Sequence, residues 1–408
     1  MIATIRLFFA AVLAATLVPV GHATAEPSWP EAIAEGKFGF GLRYRYEGVS
    51  RDGLPEDAAA HTLRTRLGYS TSASLPVRAM VELEAVTHLG SDAFSDTVNR
   101  RTAYPVVADP ENTEINRAWI DVTFAPGASA RLGRHRIKYD NDRFVGNVGW
   151  RQNEQTFDGL RLTATSVPGL VAEYAFISGV NRIFGRESAN GTYDTRNHFL
   201  RLDYSGFALG NLVGYGYFLD IEEAPALSSK TFGVRVTGTS DVGSGSTFLY
   251  TLEAARQSDH ADNPSAFDLA YWVVEPGFRL GDVTLKLGYE SLRGDGTVAF
   301  RTPLATLHAF QGFADEFLAT PPDGIDDYYA TIVYAPKGAG PLAGTRFIGV
   351  YHRFDAAAGG ATYGSELDLV IARKFAGNFD ASLKVARYRA DARGSDTTKV
   401  WLSLGYTY

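Results

Sequence analysis

The sequence of 408 residues contains no cysteine and only two methionines. The missing cysteine excludes a disulfide scaffold, a thiolate metal site and a cysteine nucleophile. Both scarcities fit an oxidising compartment. There is no basic excess: 39 Lys and Arg stand against 46 Asp and Glu, a net charge of −7. That composition argues against a nucleic-acid partner. After residue 25 no stretch approaches the roughly 18 consecutive apolar residues of a spanning helix. The signatures HExxH and GxSxG and the phosphate-binding glycine loop are missing as well. Asp140-Asn141-Asp142 and the trio Asp259, Asp262 and Asn263 resemble pieces of calcium loops, but they lack the spacing and the closing Glu. The sequence therefore gives no catalytic residue, metal ligand or cofactor site.

The first 25 residues stand apart. Arg6 is the only charge before Glu26, Leu7 to Val20 is an apolar run of 14 residues, and Ala23-Thr24-Ala25 follows as a small-x-small site. These features predict a signal peptide over 1–25, cleaved after Ala25. The remainder, 26–408, shows no linker, charge block or compositional break and is read as one exported domain.

What that domain has is period two. Phe38, Phe40, Leu42, Tyr44 and Tyr46 alternate with Gly39, Gly41, Arg43, Arg45 and Glu47. Val283, Leu285, Leu287 and Tyr289 alternate with Thr284, Lys286, Gly288 and Glu290. Alternation signals strands. The strand stretches are 37–48, 60–71, 77–89, 113–124, 129–137, 155–166, 169–180, 196–205, 207–219, 229–239, 245–257, 266–278, 280–291, 327–336, 344–354, 363–375, 378–390 and 397–408. Two features separate a membrane barrel from a soluble sandwich. One face is Leu, Val, Ala, Phe and Tyr while the other carries Arg, Lys, Glu and Gly, as a lipid exterior and a polar lumen require. Connections also alternate in length. Short turns fall at Gly206, Ser240–Ser244, Arg279 and Ala376–Gly377, among others, and long loops at 90–112, 138–154, 181–195 and 292–326. The expected fold is all-β: a transmembrane antiparallel β-barrel of about 18 strands, or 16 if two weak strands are loops. Short turns would be periplasmic and long loops extracellular. Tyr408, in phase with the apolar face, has the form of a C-terminal signal for outer-membrane assembly machinery.

Strand phase places a mixed set of charges in the lumen. Basic members are Arg43, Arg45, Arg64, Arg66, Arg117, Arg161, Arg201, Arg235, Lys286 and Lys384. Acidic members are Glu47, Glu82, Glu84, Asp121, Asp158, Asp203, Glu253, Glu290, Glu366 and Asp368. They serve as bracing ladders, as a charge filter, or as both. Loop 138–154 is a candidate constriction through Lys138, Asp142, Arg143, Trp150 and Arg151. An Arg beside a Trp suits a sugar ring and its carboxylate. The other reading is an ordinary surface loop. A bulge at Gly133 would turn Arg134 and Arg136 inward. In loop 292–326 a short helix over 310–318 would align Phe310, Phe313, Phe317 and Leu318, either lining the mouth or packing on itself.

Two segments carry a family resemblance. One is Arg131 to Leu162, with Asp142-Arg143-Phe144, Trp150-Arg151-Gln152 and Thr156-Phe157-Asp158-Gly159. The other is Leu287 to Tyr329, with Phe300, Thr302-Pro303-Leu304, His308-Ala309-Phe310, Ala314-Asp315 and Thr320-Pro321. Both resemble the alginate-export family of Gram-negative outer-membrane barrels. The resemblance implies an outer-membrane channel that conducts an anionic polysaccharide or sugar acid passively. A general or substrate-specific porin for small solutes is the alternative. The family's defining exporter is associated with a strongly basic lumen, and the mixed set here departs from it. Expected partners are outer-membrane lipid and the conducted solute.

Overall fold

The computed structural model describes residues 28–338, 340–375 and 377–408. The expected signal peptide lies outside the described residues, as does Ala376 of the expected turn. A short helix α1 (Trp29–Ala34) precedes β1 (Lys37–Arg51), β2 (Ala58–Ser70), β3 (Val77–His88), β4 (Asn112–Ala125), β5 (Ala128–His135) and β6 (Thr156–Ala164). Next come β7 (Leu170–Asn181), β8 (Thr192–Phe207), β9 (Gly210–Leu219), β10 (Ser229–Gly243), β11 (Ser246–Asp259) and β12 (Asp268–Leu280). The chain ends with β13 (Val283–Leu292), β14 (Ile325–Tyr334), β15 (Thr345–Asp355), β16 (Thr362–Phe375), β17 (Phe379–Ala390) and β18 (Thr397–Thr407). Each strand pairs antiparallel with the next, and β18 returns to β1 from Gly41↔Thr407 to Arg51↔Thr397. The sheet is a closed barrel of 18 strands, not the 16 of the alternative count.

Closure leaves no backbone edge unpaired, a requirement where no water reaches the wall. No described helix is long and apolar enough to cross a membrane. The distribution of side chains is inverted relative to a soluble protein. Leu132 and Leu287 are 62% and 65% exposed on the outer face, whereas Glu366 and Asp368 are 1% and 0% exposed inside. Aromatic pairs rim the apolar band at both ends. Phe38–Tyr69, Phe379–Tyr406 and Phe248–Phe278 lie toward the short turns, and Tyr289–Tyr328 and Phe218–Phe232 toward the long loops. This is the girdle pattern of outer-membrane barrels.

Helix α1 closes against the turn end, where the Ser72 amide donates to the Ala32 carbonyl at 2.9 Å. Several boundaries differ from the sequence expectation. Phe207 is still in β8 and the turn is 208–209, while Arg279 lies within β12 and the turn is 281–282. Gly281 supplies the positive φ, +57°, that Arg279 would adopt only under strain. At Gly133 the pairing passes without a shift, so no bulge turns Arg134 inward. A Cβ there would lie 2.3 Å from the Ala118 carbonyl oxygen, so only glycine permits this approach. Arg134 keeps the outward phase of Leu132 and pairs with Asp158 through contacts of 2.8 and 2.9 Å. Asp158, expected in the lumen, faces outward with it. Arg136 lies beyond β5 and reaches Glu154 and Glu82. The bulge occurs instead at Asn116, skipped between Ile115 and Arg117. Its fully buried amide donates to Glu82 and Glu154 at 2.8 and 2.5 Å.

Substitutions on adjacent residues test the phase. Leu285→Arg, on the outer face, costs about 2–4 kcal/mol at mid-membrane depth and should abolish the heat-shifted band of a folded barrel on a denaturing gel. Lys286→Gln, facing the lumen, should keep it.

Candidate pore constriction

Two long connections, 136–155 and 293–324, fold into the lumen and join there. The Gly146 amide donates to the Leu304 carbonyl at 2.9 Å and the Thr306 amide to the Asp142 carbonyl at 3.0 Å. Trp150 stacks on His308 with centroids 4.2 Å apart and planes 4° from parallel. Phe144, Phe300 and Leu304 join Tyr215, Tyr217 and Tyr271 of the wall in a continuous apolar cluster. On the opposite side Phe317 packs against Phe354, Tyr363 and Tyr388. Much of the lumen is thus a packed core rather than an open bore.

Charge anchors this body to the wall. Arg43 of β1 donates to the Gln152 side chain at 2.8 Å and to the Gly149 and Arg151 carbonyls. Arg45 pairs with Asp109 of the 89–111 connection, lies 4.9 Å over the Trp150 ring and approaches Glu47 at 3.8 Å. Arg151 returns to Glu47 at 3.0 Å and to Asp315 at 3.4 Å. Arg143 donates to Glu290 at 2.6 Å, where the Tyr271 hydroxyl also donates at 2.9 Å. From the second loop, the Phe313 and Ala314 amides donate to Asp368 and Glu366 at 3.2 and 2.6 Å. Lys399 reaches Asp315 at 2.7 Å, and Arg51 chelates Glu316. Lys384 donates to His308 Nε2 at 2.7 Å, inside a cage of Trp150 and Phe313 at 3.8 and 3.5 Å. His308 therefore carries its proton on Nδ1 and donates it to Asp315 at 2.7 Å.

Two loop carboxylates, Glu154 and Asp315, are held ionised. Burial opposes the charge on Glu154, but Arg66 and Arg136 outweigh it and bring its carboxyl down to about 2. Burial likewise opposes Asp315, yet His308, Lys399 and Arg151 hold it well below the usual carboxylate range. For His308 burial comes first: it pushes the imidazole down to about 3, and Lys384 adds to the shift against the pull of Asp315.

The remaining predicted lumen residues form cross-strand braces. Arg66 pairs with Glu84 and with Glu154 at 3.3 Å. Arg117 holds Glu82 at 2.5 Å, and Asp121 accepts from Arg131. Arg161 holds Glu173, Arg235 holds Glu253 at 2.5 Å, and Lys286 holds Glu275 at 2.7 Å. The bracing reading thus describes these pairs. Arg64 differs. It faces Arg43 directly across β1 and β2, makes no ion pair with a described residue, and its Nε is buried without a hydrogen-bond partner.

Two expectations for the loops are corrected. Trp150 and Arg151 lie in the lumen but are not available to a sugar: His308 and the Arg45 and Lys384 cations take the indole faces, and Glu47 and Asp315 take the guanidinium. Residues 310–318 form no α-helix. Positive φ at Gln311 (+51°), Gly312 (+82°) and Asp315 (+63°) breaks the turn; Phe310, Phe313 and Phe317 diverge to Arg143, His308 and Phe354, and Leu318 is exposed. Lys138 sits at the exposed edge, paired with Asp142 at 3.1 Å. Sequence reasoning missed Asp109, Glu154, Asp315, Glu316 and Lys399. His308 and Asp315 did stand in the segment carrying the family resemblance.

A family model described as alginate export matches residues 35–332. The chain belongs to the alginate export family. No curated protein matches it. Among solved structures, it is similar to Acinetobacter baumannii OccAB4, with 18% identity over 92% of this chain and 98% of that one and a TM-score of 0.74. It is also similar to Pseudomonas aeruginosa OccK9 (OpdG), with 14% identity over 92% and 99% and a TM-score of 0.74. Pseudomonas aeruginosa OpdK with vanillate gives 14% identity over 92% and 99% and a TM-score of 0.71. The alginate export chain described here therefore has the fold of outer-membrane porin barrels.

Loosening the loop body should open the bore. Arg143→Ala leaves buried Glu290 without its cation, a loss of about 3–5 kcal/mol for a broken buried pair, and single-channel conductance should rise. Acid should act in the same direction. His308 has its ordinary value of 6.5 outside the docked state and about 3 within it. Docking is thus fully favoured above pH 6.5 and weakens as pH falls toward 3. Conductance should rise across that window, and less so in His308→Gln; a flat titration in the parent barrel would rule this out.

Proposed function

We propose that the protein is a passive outer-membrane channel selective for small anionic solutes, sugar acids included, with its turn end toward the periplasm. The observation that carries this reading is Arg64. It is an inward guanidinium beside Arg43 and Arg66 with no carboxylate of its own. Partly accessible arginines, each braced by a carboxylate, continue the row on neighbouring strands at Arg66, Arg117, Arg131, Arg161 and Arg201. A cation in a narrow low-dielectric bore focuses the local field and favours anions even in a net acidic protein. The loop body supports a small solute over a polymer, because a threaded polysaccharide would require both loops to leave the lumen. A similar barrel, OpdK, has been solved with vanillate, a small carboxylate.

The family description supports a second reading, passage of an anionic polysaccharide, which shares the anion preference and differs in needing the loops displaced. Reversal potentials under a salt gradient test the common element. Anion preference should appear, and Arg64→Ser should reduce the anion-to-cation permeability ratio, because it removes one focused charge from the bore. Cation preference, or a ratio untouched by that substitution, would reject the proposal. Size-graded uronate oligomers separate the two readings: passage limited to the shortest supports the small-solute channel.

A further inference from the structure

Charge is also distributed along the barrel axis. Five basic residues occupy the last two positions of their strands at the turn end: Lys37 of β1, Arg78 of β3, Arg279 of β12, Arg346 of β15 and Lys374 of β16. Strand phase points all five into the lumen. Lys37 is in phase with Arg43, Arg78 with Glu82, Arg279 with Glu275, Arg346 with His352, and Lys374 with Asp368. None makes an ion pair with a described residue, and Nε of Arg78 is buried without a partner.

Inward carboxylates at this level are few. Asp121 is held by Arg131. Asp380 stands opposite Lys374 without closing an ion pair, and Asp241 lies across the mouth on β10. Helix α1 brings Glu31, engaged in its own capping box, and Glu35 to the same end. The loop end is the opposite. In the connections there, exposed acids such as Asp52, Glu56, Asp57, Glu222, Glu223 and Asp262 outnumber the exposed bases Arg100, Arg101, Lys138, Arg186 and Arg393.

We infer that these five side chains form a cationic collar that captures multiply charged anions from the turn side of the barrel, ahead of the constriction. The inference rests on the channel reading above and adds sidedness to it. Charges converging inside a low-dielectric ring raise the local concentration of a counter-ion and speed its capture by about 10- to 1,000-fold. The acidic loop mouth repels the same solute. A passive pore moves solute down its gradient either way, so the asymmetry appears in the capture rate and not in the equilibrium. Inward aim suits a solute rather than a flat protein surface.

Single-channel recording with inorganic tripolyphosphate in one chamber at a time tests this, with orientation scored by which chamber's protease cleaves the long loops. At ~0.1 M KCl, where charges act over about 10 Å, blocking events should be at least about fivefold more frequent from the turn side. At ~1 M KCl, where the range is about 3 Å, the difference should fall below about twofold. The variant Lys37→Ser/Arg279→Ser/Arg346→Ser/Lys374→Ser should bring the turn-side frequency to the loop-side level. Should it not appear as a heat-shifted barrel, Arg346→Ser/Lys374→Ser should lower that frequency by about half. Equal frequencies from both sides at low salt, no events from either side, or a difference that the variants retain would overturn the collar. A barrel without anion preference that still shows the sided difference would overturn the constriction reading and leave the collar standing.

Discussion

The hydrogen bonds between the first and last strands govern the rest of this molecule. Once β1 and β18 pair, no strand edge is left, and the register of each strand is locked to its neighbours around the ring. Register fixes phase, since a slip of one residue would send every side chain to the other face. Phase then divides the middle of the wall into a leucine- and aromatic-rich exterior and a charged interior, while outward charges such as Arg256, Asp268, Arg353 and Arg389 stand near the loop-end strand termini. Arg134 and Asp158 show the rule at its limit: with no bulge at Gly133, both stay outside, and each is tolerable there through the other.

Charges confined to a lumen must find partners within it. Where opposite charges fall on adjacent strands they pair locally, as Arg117 does with Glu82 and Arg235 with Glu253. Arg43, Glu47, Glu290, Glu366, Asp368 and Lys384 find their complements in the connections instead. The loops therefore occupy the bore for electrostatic as well as apolar reasons. Their backbone amides and carbonyls serve as counter-groups beside their side chains, as the Phe313 and Ala314 amides do for Asp368 and Glu366. Arg64 stands outside this accounting, and it is the group on which the proposed anion preference rests.

The barrel was legible because period two is a local signal. Strand number, the inward set apart from Asp158, and the alternation of turns with loops follow from residues a few positions apart. Turn positions slipped where apolar alternation ran on past the expected stop, as at Arg279. The constriction was less legible because its pairs are distant: 64 residues separate Arg45 from Asp109 and 147 separate Arg143 from Glu290. No periodicity joins them. Positive φ at Gln311 and Asp315, two residues that rarely adopt it, cancelled a helical spacing that the phenylalanines alone suggested. The two segments with family resemblance prove to be the strands and loops that meet in the lumen. The pattern marked the right residues before the geometry explained why they belong together.

Several anchors of the loop body meet at the seam of the ring. Arg43, Arg45, Glu47 and Arg51 lie on β1 and Lys399 on β18, and these two strands come together only when the ring shuts. A half-built cylinder offers the loops one side of their berth and not the other. Until those two strands pair, the loop body therefore lacks its seam contacts. One loop body thus bridges the first and last strands from inside, and the constriction acts as an internal clasp on the seam that the backbone ladder closes.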